Sequence, residues 1–437
     1  MIRLVLAWVV ALAVAGLLFA APALRRRFPI HWWYAFGFPL VAVRVWRSWR
    51  PLAIERGLTI TRRPSRVLLG DLIVRGQPLR PIPPRIGIPR PRAGGLSVAV
   101  RMHPGQTPDA FADASGALAH AWRVHAVRVA STARGSVRLT ALATDPLNDV
   151  PTPGKLDRSV SLMVAPVGRR EDGQPWVIDF RTAPHWLIVG ATRTGKSTLM
   201  AALVTALAPQ PVALVGIDCK GGMEQSLFSP RLSALATSRQ EASRLLGALM
   251  DETQQRMRVC RFARVRSVWE LPAGKRPTPV VVLVDEVAEL FLVASRAEKD
   301  EAAQVATALV RLAQLGAALA VHLVVAGQRV GSDLGPGATA LRAQLAGRVC
   351  HRVSDPGTAE MALGDLNPDA VDAAQAITTD EPGVAILSGV DGSWMRARSV
   401  HVSPKEAQRV AREHAAMTPD MPALAAAVAG WDPGTRS

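Results

Sequence analysis

Short apolar runs, each closed by glycine or a polar residue and followed by residues of helical period, recur through the larger C-terminal part of the chain. Trp-Leu-Ile-Val at 186–189 precedes GATRTGKS, and residues 198–207 continue as an apolar helix. VALVGID at 212–218 leads into CKGG, and helical period resumes from Ser238 to about Val265. TPVVVLVDEVAELF at 278–291 holds a run of Val and Leu that ends in two adjacent acids. A helical stretch at 301–319 follows, then the strand-like AVHLVVAGQRV, a short helix through 341–345, a strand around 348–353 and the final strand GVAILSG. Apolar strands alternating with helices in this order predict an α/β domain, a mostly parallel sheet with helices on both faces.

The earlier part of the chain has a different pattern. LSVAVRM, HAVRVAS and SVRLTAL alternate with period two, and TPDAFADASGALAHAW between the first two reads as a helix with Thr107 at its N-cap. These make a small β-α-β-β module. The hairpin turn at Asp172-Gly173 then delivers the chain to residue 186. Residues 4–24 are apolar, long enough to span a bilayer as a helix, and Arg25, Arg26 and Arg27 follow at once. The positive-inside rule keeps that cluster cytoplasmic, which predicts a plasma-membrane protein with its folded part in the cytoplasm. A cleavable signal peptide is the competing reading, because small residues lie at 20–23. The aromatic-rich segment 28–46, with His31 and Arg44 in it, fits either a second span or an interfacial segment.

Composition changes this picture in two ways. The formal net charge is +17, yet residues 1–95 hold sixteen arginines, no lysine and only Glu55 and Asp71, so +14 of it lies there. That excess suits lipid headgroups or nucleic-acid phosphates, and equally a topology signal. The proline- and arginine-rich residues 47–95 read as a semi-rigid linker. Cys219, Cys260 and Cys350 have no metal or disulfide spacing, and a reducing compartment fits them best.

The candidate chemistry starts at GATRTGKS, which fits G-x-x-x-x-G-K-[ST] between a strand and a helix. Backbone N–H groups can wrap a phosphate only where side chains leave room, and the following helix adds its positive end. Gly190, Ala191, Thr192, Arg193, Thr194, Gly195, Lys196, Ser197 and Thr198 are therefore the candidate nucleotide cradle. Lys196 would reach the β- and γ-phosphates and Ser197 would ligate Mg²⁺. At the end of the 280–284 run, Asp285 would hold Mg²⁺ and Glu286 would polarise the attacking water. Gln328, at the tip of the next strand, is placed to sense the γ-phosphate.

GATRTGKS, GIDCKGG, VVVLVDEVAEL, LVRLAQLGAALAVHLVVAGQRV and LAGRVCHRVSD together resemble the motor domain of the FtsK/SpoIIIE family of double-stranded DNA translocases. The resemblance is strongest to its actinobacterial conjugative-transfer (TraB/TraSA-like) branch. It implies a RecA-like P-loop fold, ATP as substrate with Mg²⁺, hexameric homo-oligomers, duplex DNA as partner, and an arginine supplied by the neighbouring subunit. Arg348 matches the family's arginine after the short helix, with Arg342 second. The sequence departs from the family at Arg193, where glycine is usual, at Cys219, where proline is usual, and at VAGQRV in place of ATQRP. No counterpart of the family's winged-helix module follows the motor, so other transfer proteins are expected to supply sequence recognition. The expected organisation is a membrane anchor at 1–46, linker at 47–95, small α+β module at 96–150, motor at 151–415 and disordered tail at 416–437. Chromosome segregation and protein secretion by the same superfamily are the competing functions.

Overall fold

The computed structural model describes residues 27–61, 81–92, 94–148, 161–292, 296–364, 368–388 and 393–428. The apolar run 4–24 lies outside them. The chain forms two compact units that divide between Pro146 and Leu147.

The first unit is built on a helix, α1 (Phe38–Glu55), entered through helical turns over Pro29–Trp32 and Trp33–Gly37. Val41, Val45, Trp49 and Ala53 recur every four residues and are buried, which is the inward stripe of an amphipathic helix. They meet an antiparallel sheet of β1 (Arg85–Ile86), β2 (Arg90–Arg92), β3 (Gly95–Arg101), β4 (Ala126–Ala133) and β5 (Ser136–Leu142). Between β3 and β4 run α2 (Pro108–Asp113) and α3 (Ser115–Trp122), whose Phe111, Leu118 and Trp122 complete the core. The β-α-β-β pattern is therefore present, with two further short strands.

Those strands correct the linker reading. Residues 47–55 are the second half of α1, 85–86 and 90–92 pair with β3, and 81–82 pair with 60–61, while 62–80 lie outside the described residues. The reason lies in two indoles: Trp49 Nε1 donates to the Pro84 carbonyl at 2.9 Å and Trp33 Nε1 to the Arg92 carbonyl at 2.8 Å. A proline-rich segment is short of donors, and these side chains supply them. Residues 28–46 likewise lie on this unit: Val41 and Val45 belong to its core, while Leu40 and Trp46, each 59% exposed, face outward. Among the described residues one helix, Glu298–Leu319, is long and apolar enough to cross a membrane. It is a core helix of the second unit, with Val305, Leu309 and Leu312 buried against the sheet.

The second unit contains a ten-stranded sheet among the described residues. Its strands are β6 (Val164–Arg170), β7 (Pro175–Asp179), β8 (Trp186–Val189), β9 (Ala213–Ile217), β10 (Leu232–Ala236), β11 (Val280–Val284), β12 (Val321–Gly327), β13 (Gly347–His351), β14 (Val384–Ser388) and β15 (Trp394–Ser399). They lie in the order β10-β9-β11-β12-β8-β13-β14-β15-β6-β7. The first six are parallel and the rest antiparallel, so the sheet is mixed where a mostly parallel one was expected. β15 was not legible because Arg396 and Arg398 sit in it. Both are compensated: Arg396 pairs with Glu381, and the Arg398 guanidinium donates to the carbonyls of Pro382 and Leu147.

In the parallel half, period-two alternation splits each strand between two cores. Val280, Val282 and Val284 of β11 face one, with Val321, Leu323 and Val325 of β12 beside them. Val281 and Leu283 face the other, with Val324 and Ala326. Helices α5 (Arg239–Ala263) and α6 (Arg296–Leu319) cover the first face, and α4 (Lys196–Leu207) lies in the second. α5 starts at Ser238, whose hydroxyl accepts from the Glu241 N–H while the Glu241 carboxylate accepts from the Thr237 N–H. A short helix, α7 (Ala338–Gln344), precedes β13, and α8 (Pro404–Glu413) and α9 (Pro422–Ala427) end the described chain. α9 overturns part of the expected disordered tail, because Leu424 and Val428 are buried in the first core.

Candidate functional site

Four parallel strands end on the same side of the sheet, and their carboxyl ends build one cavity of about 290 Å³. This is where open α/β sheets bind ligands, because the loops diverge there and the next helices present their N-termini. β8 delivers the phosphate loop, β9 delivers Lys220 and Glu224, β11 delivers Asp285 and Glu286, and β12 delivers Gln328. The fourth wall comes from the antiparallel half: Pro382, Gly383, Ser399 and His401.

The loop is held from behind. Gly190 is buried, and a Cβ there would stand 2.7 Å from the His351 Cβ and the Thr194 hydroxyl. The Thr194 hydroxyl donates to the Ala191 carbonyl at 2.7 Å, and the Thr194 carbonyl accepts from the Gly383 N–H at 2.9 Å. Gly195, with φ 129°, admits no side chain because Gly383 Cα would lie 2.7 Å from its Cβ. His351 lies fully buried beneath, its Nδ1 3.0 Å from the Val384 carbonyl. Burial lowers its pKa to about 4, so it is a neutral floor at neutral pH.

Lys196 begins α4 and folds back, donating to the carbonyls of Gly190 at 2.5 Å and Ala191 at 3.2 Å. Burial lowers its pKa, while the nearby Glu286 and Asp285 oppose that shift. The side chain thus rests on the loop's own acceptors, in reach of the cavity it lines. Ala191, Thr192, Arg193, Gly195, Ser197 and Thr198 line the cavity too, whereas Gly190 and Thr194 support the loop from outside it.

Arg193 has φ 62°, a left-handed conformation that favours glycine. The sequence's departure at this position is therefore a strained one. Arg193→Gly is expected to keep nucleotide affinity and to relieve about 1 kcal/mol of backbone strain, offset in part by unfolded-chain entropy. Titration with a fluorescent ATP analogue and thermal melting check this; a large loss of binding would mean that the guanidinium contacts nucleotide or a neighbouring subunit.

Asp285 and Glu286 differ sharply in surroundings. Burial foremost, then the neighbouring Asp218 carboxylate, pushes the Asp285 pKa up to about 6, with Lys220 pulling the other way. Glu286, 8% exposed, accepts the Gln328 N–H on Oε1 at 3.2 Å and faces the Lys220 ammonium with Oε2 at 3.8 Å. A raised Asp285 pKa means that ionisation is disfavoured in the fold. The stability this carboxyl allows is full below its ordinary pKa of 3.8 and is lost as pH rises through about 6. Asp285→Asn is thus expected to melt several degrees higher than the parent without nucleotide at about pH 7.5, and to match it near pH 4. An equal gain at both pH values would contradict this.

Ser197 and Asp285 line the same cavity, one hydroxyl and one crowded carboxylate. That donor set suits Mg²⁺, which takes one or two protein ligands and fills its remaining positions with phosphate oxygens and water. Arg348 does not suit the role expected of it. It sits in β13, 5% exposed, with Nη2 donating to the Arg342 carbonyl at 2.7 Å, and does not line the cavity. The guanidinium is packed inside its own fold and is not presented at the surface where a neighbour would meet it. Sequence reasoning missed Lys220, Glu224, Pro382, Gly383, Ser399 and His401; for Lys220 the signal was available in CKGG, directly after an apolar strand.

A model described as the actinomycete conjugal transfer protein N-terminal domain matches residues 18–143, and the FtsK/SpoIIIE family model matches 146–271 and 270–332. The transfer protein TraSA of Streptomyces ambofaciens is 43% identical over 381 residues, covering 85% of this chain and 91% of that protein. The chain belongs to the FtsK/SpoIIIE family, in its conjugal-transfer branch. A sporulation regulatory protein of Streptomyces azureus is 51% identical over 56% of this chain and 80% of its own. The DNA translocase FtsK of Haemophilus influenzae is 27% identical over 50% of this chain and 48% of its own. Among solved structures, the pCW3 conjugation coupling protein TcpA, in its monomer form with ATPgS, superposes with TM-score 0.53 at 18% identity. That match covers 75% of this chain and 94% of TcpA, and indicates a shared fold.

Proposed function

We propose that this chain is a membrane-anchored ATPase that drives double-stranded DNA during conjugative transfer. The observation that carries the reading is the convergence of Lys196, Ser197, Asp285, Glu286 and Gln328 on one cavity at the carboxyl ends of neighbouring parallel strands. Loop N–H groups and Lys196 would bind the triphosphate, and Gln328 would meet its γ end. Glu286, anchored by the Gln328 N–H, would take the proton of the attacking water. Mg²⁺ held by Ser197 and Asp285 would supply charge neutralisation on the phosphates. Thr198 and the start of α4 would complete the cradle with the helix's positive end.

Assembly as a hexameric ring belongs to the same proposal. Arg342, partly exposed on α7, is the better candidate than the buried Arg348 for the arginine that a neighbour would receive. Residues 151–415 would form the motor and the apolar run 4–24 the anchor. The outward apolar positions of α1, Leu40, Val43 and Trp46, beside Arg44 and Arg47, are suited to an interfacial position at the membrane. Sequence recognition would come from other transfer proteins.

The test is ATP hydrolysis by the full-length chain in detergent or nanodiscs with and without linear duplex DNA. Stimulation by DNA that falls steeply with salt is expected. An assembled protein that hydrolyses ATP at a rate indifferent to DNA at low salt would contradict the DNA part. Stimulation by a polypeptide in place of DNA would favour a secretion motor.

A further inference from the structure

Lys220 enters the cavity from a turn built to place it there. After β9, the Asp218 carboxylate, 1% exposed, accepts from the N–H groups of Lys220 at 3.2 Å, Glu224 at 3.0 Å and Gln225 at 3.2 Å. The Asp218 carbonyl accepts the Gly222 N–H at 3.0 Å. Gly221 and Gly222 take φ of 75° and 74°, which lets the chain reverse within that span. The backbone of the turn is therefore fixed by Asp218 and the glycines, and the Lys220 side chain is left to act at the cavity.

There it meets Glu286. The carboxylate is held differently on its two oxygens: Oε1 by a fixed backbone N–H of Gln328 at 3.2 Å, Oε2 by the Lys220 ammonium at 3.8 Å. The second distance is too long for a hydrogen bond, so it is a charge contact on a flexible stem. Its partners differ in exposure, 38% for the lysine side chain and 7% for the glutamate. The lysine can leave and the glutamate cannot. Besides Lys196 and Arg193 of the phosphate loop, Lys220 is the one Lys or Arg lining the cavity among the described residues.

We infer that Lys220 is a positioning residue that reports γ-phosphate occupancy to Glu286. It pairs with the carboxylate while the phosphate end is empty, and moves to the γ-phosphate when ATP fills it, releasing Glu286 to face water. The γ-phosphate carries more negative charge than one carboxylate and wins the ammonium; ADP lacks it and leaves the Lys220–Glu286 pair in place. The inference rests on the ATPase reading above and assigns that site an internal ATP-versus-ADP switch.

The experiment measures affinities for ADP and a non-hydrolysable ATP analogue, with kcat and KM for ATP, in the parent, Lys220→Ala, Lys220→Arg, Glu286→Gln and the Lys220→Ala/Glu286→Gln double variant. Lys220→Ala is expected to lose about tenfold in preference for the ATP analogue over ADP, with ADP affinity within about twofold of the parent. Its kcat at saturating ATP is expected to stay within about tenfold of the parent, because Glu286 is released to face water in the ATP-bound state and keeps its Gln328 N–H with or without the lysine. Lys220→Arg should recover much of the preference because it keeps the charge. The double variant should turn over no more slowly than Glu286→Gln alone, because Lys220 acts through that residue. Equal losses of ADP and ATP-analogue affinity would mark a structural role and overturn the inference, as would an unchanged preference. A parent chain that binds neither nucleotide would overturn the ATPase reading itself, and this inference with it; Lys196-dependent binding with an unchanged preference in Lys220→Ala overturns this inference alone.

Discussion

Lys196→Ala is expected to remove ATP hydrolysis, with turnover falling by about 10³-fold or more. Nucleotide affinity should fall with it. Lys196 is a partly buried ammonium that rests on the Gly190 and Ala191 carbonyls and lines the cavity. Truncating one partner of a desolvated charge pair costs about 2–5 kcal/mol, or roughly 30- to several thousand-fold in affinity. The fold should survive, because α4 is held by Leu199, Met200, Leu203 and Leu207, all buried, and the loop by Thr194 and the close approach of Gly383. Circular dichroism and titration with a fluorescent ATP analogue check both halves. Retained hydrolysis would mean that the loop is not the nucleotide's cradle.

Glu286→Gln separates chemistry from binding. Glutamine keeps an oxygen for the Gln328 N–H, so the strand ends stay joined, but it cannot take a proton from water. Turnover is expected to fall about 10²–10⁴-fold, with ATP affinity within about threefold of the parent. Single-turnover hydrolysis and equilibrium binding on the same preparation read the two quantities. A turnover within tenfold of the parent would remove Glu286 from the role of base and turn attention to Glu224, which also lines the cavity.

What was legible in the sequence was local. GATRTGKS is contiguous and flanked by a strand and a helix, so its geometry follows from eight neighbouring residues. The apolar strand ending in Asp285-Glu286 was legible because two acids after a fully buried run need a reason. What was not legible depends on partners distant in the chain. Pro382, Ser399 and His401 reach the cavity because β14 and β15 pair antiparallel beyond β13. β15 hid because its arginines are neutralised by Glu381 and by carbonyls from another part of the unit.

The same cause explains the misplaced arginine and the misread linker. Arg348 looks exposed by type, yet as a β13 residue it finds the Arg342 carbonyl inside the fold. Residues 81–92 look unable to fold by composition, yet the indoles of Trp33 and Trp49 supply their missing donors. Arg193 runs the other way. The sequence flagged it as an unexplained replacement of glycine, and its φ of 62° gives the physical content of that departure.

The central claim, that ATP turnover at this cavity moves the protein along duplex DNA, is tested most directly by displacement of a labelled third strand from linear duplex. The full-length chain should release the third strand with ATP. It should not do so with a non-hydrolysable analogue, nor as the Glu286→Gln variant, and the time to release should lengthen with the duplex between entry and the third strand. ATP hydrolysis stimulated by DNA without any displacement, or displacement whose timing ignores that length, would contradict the account.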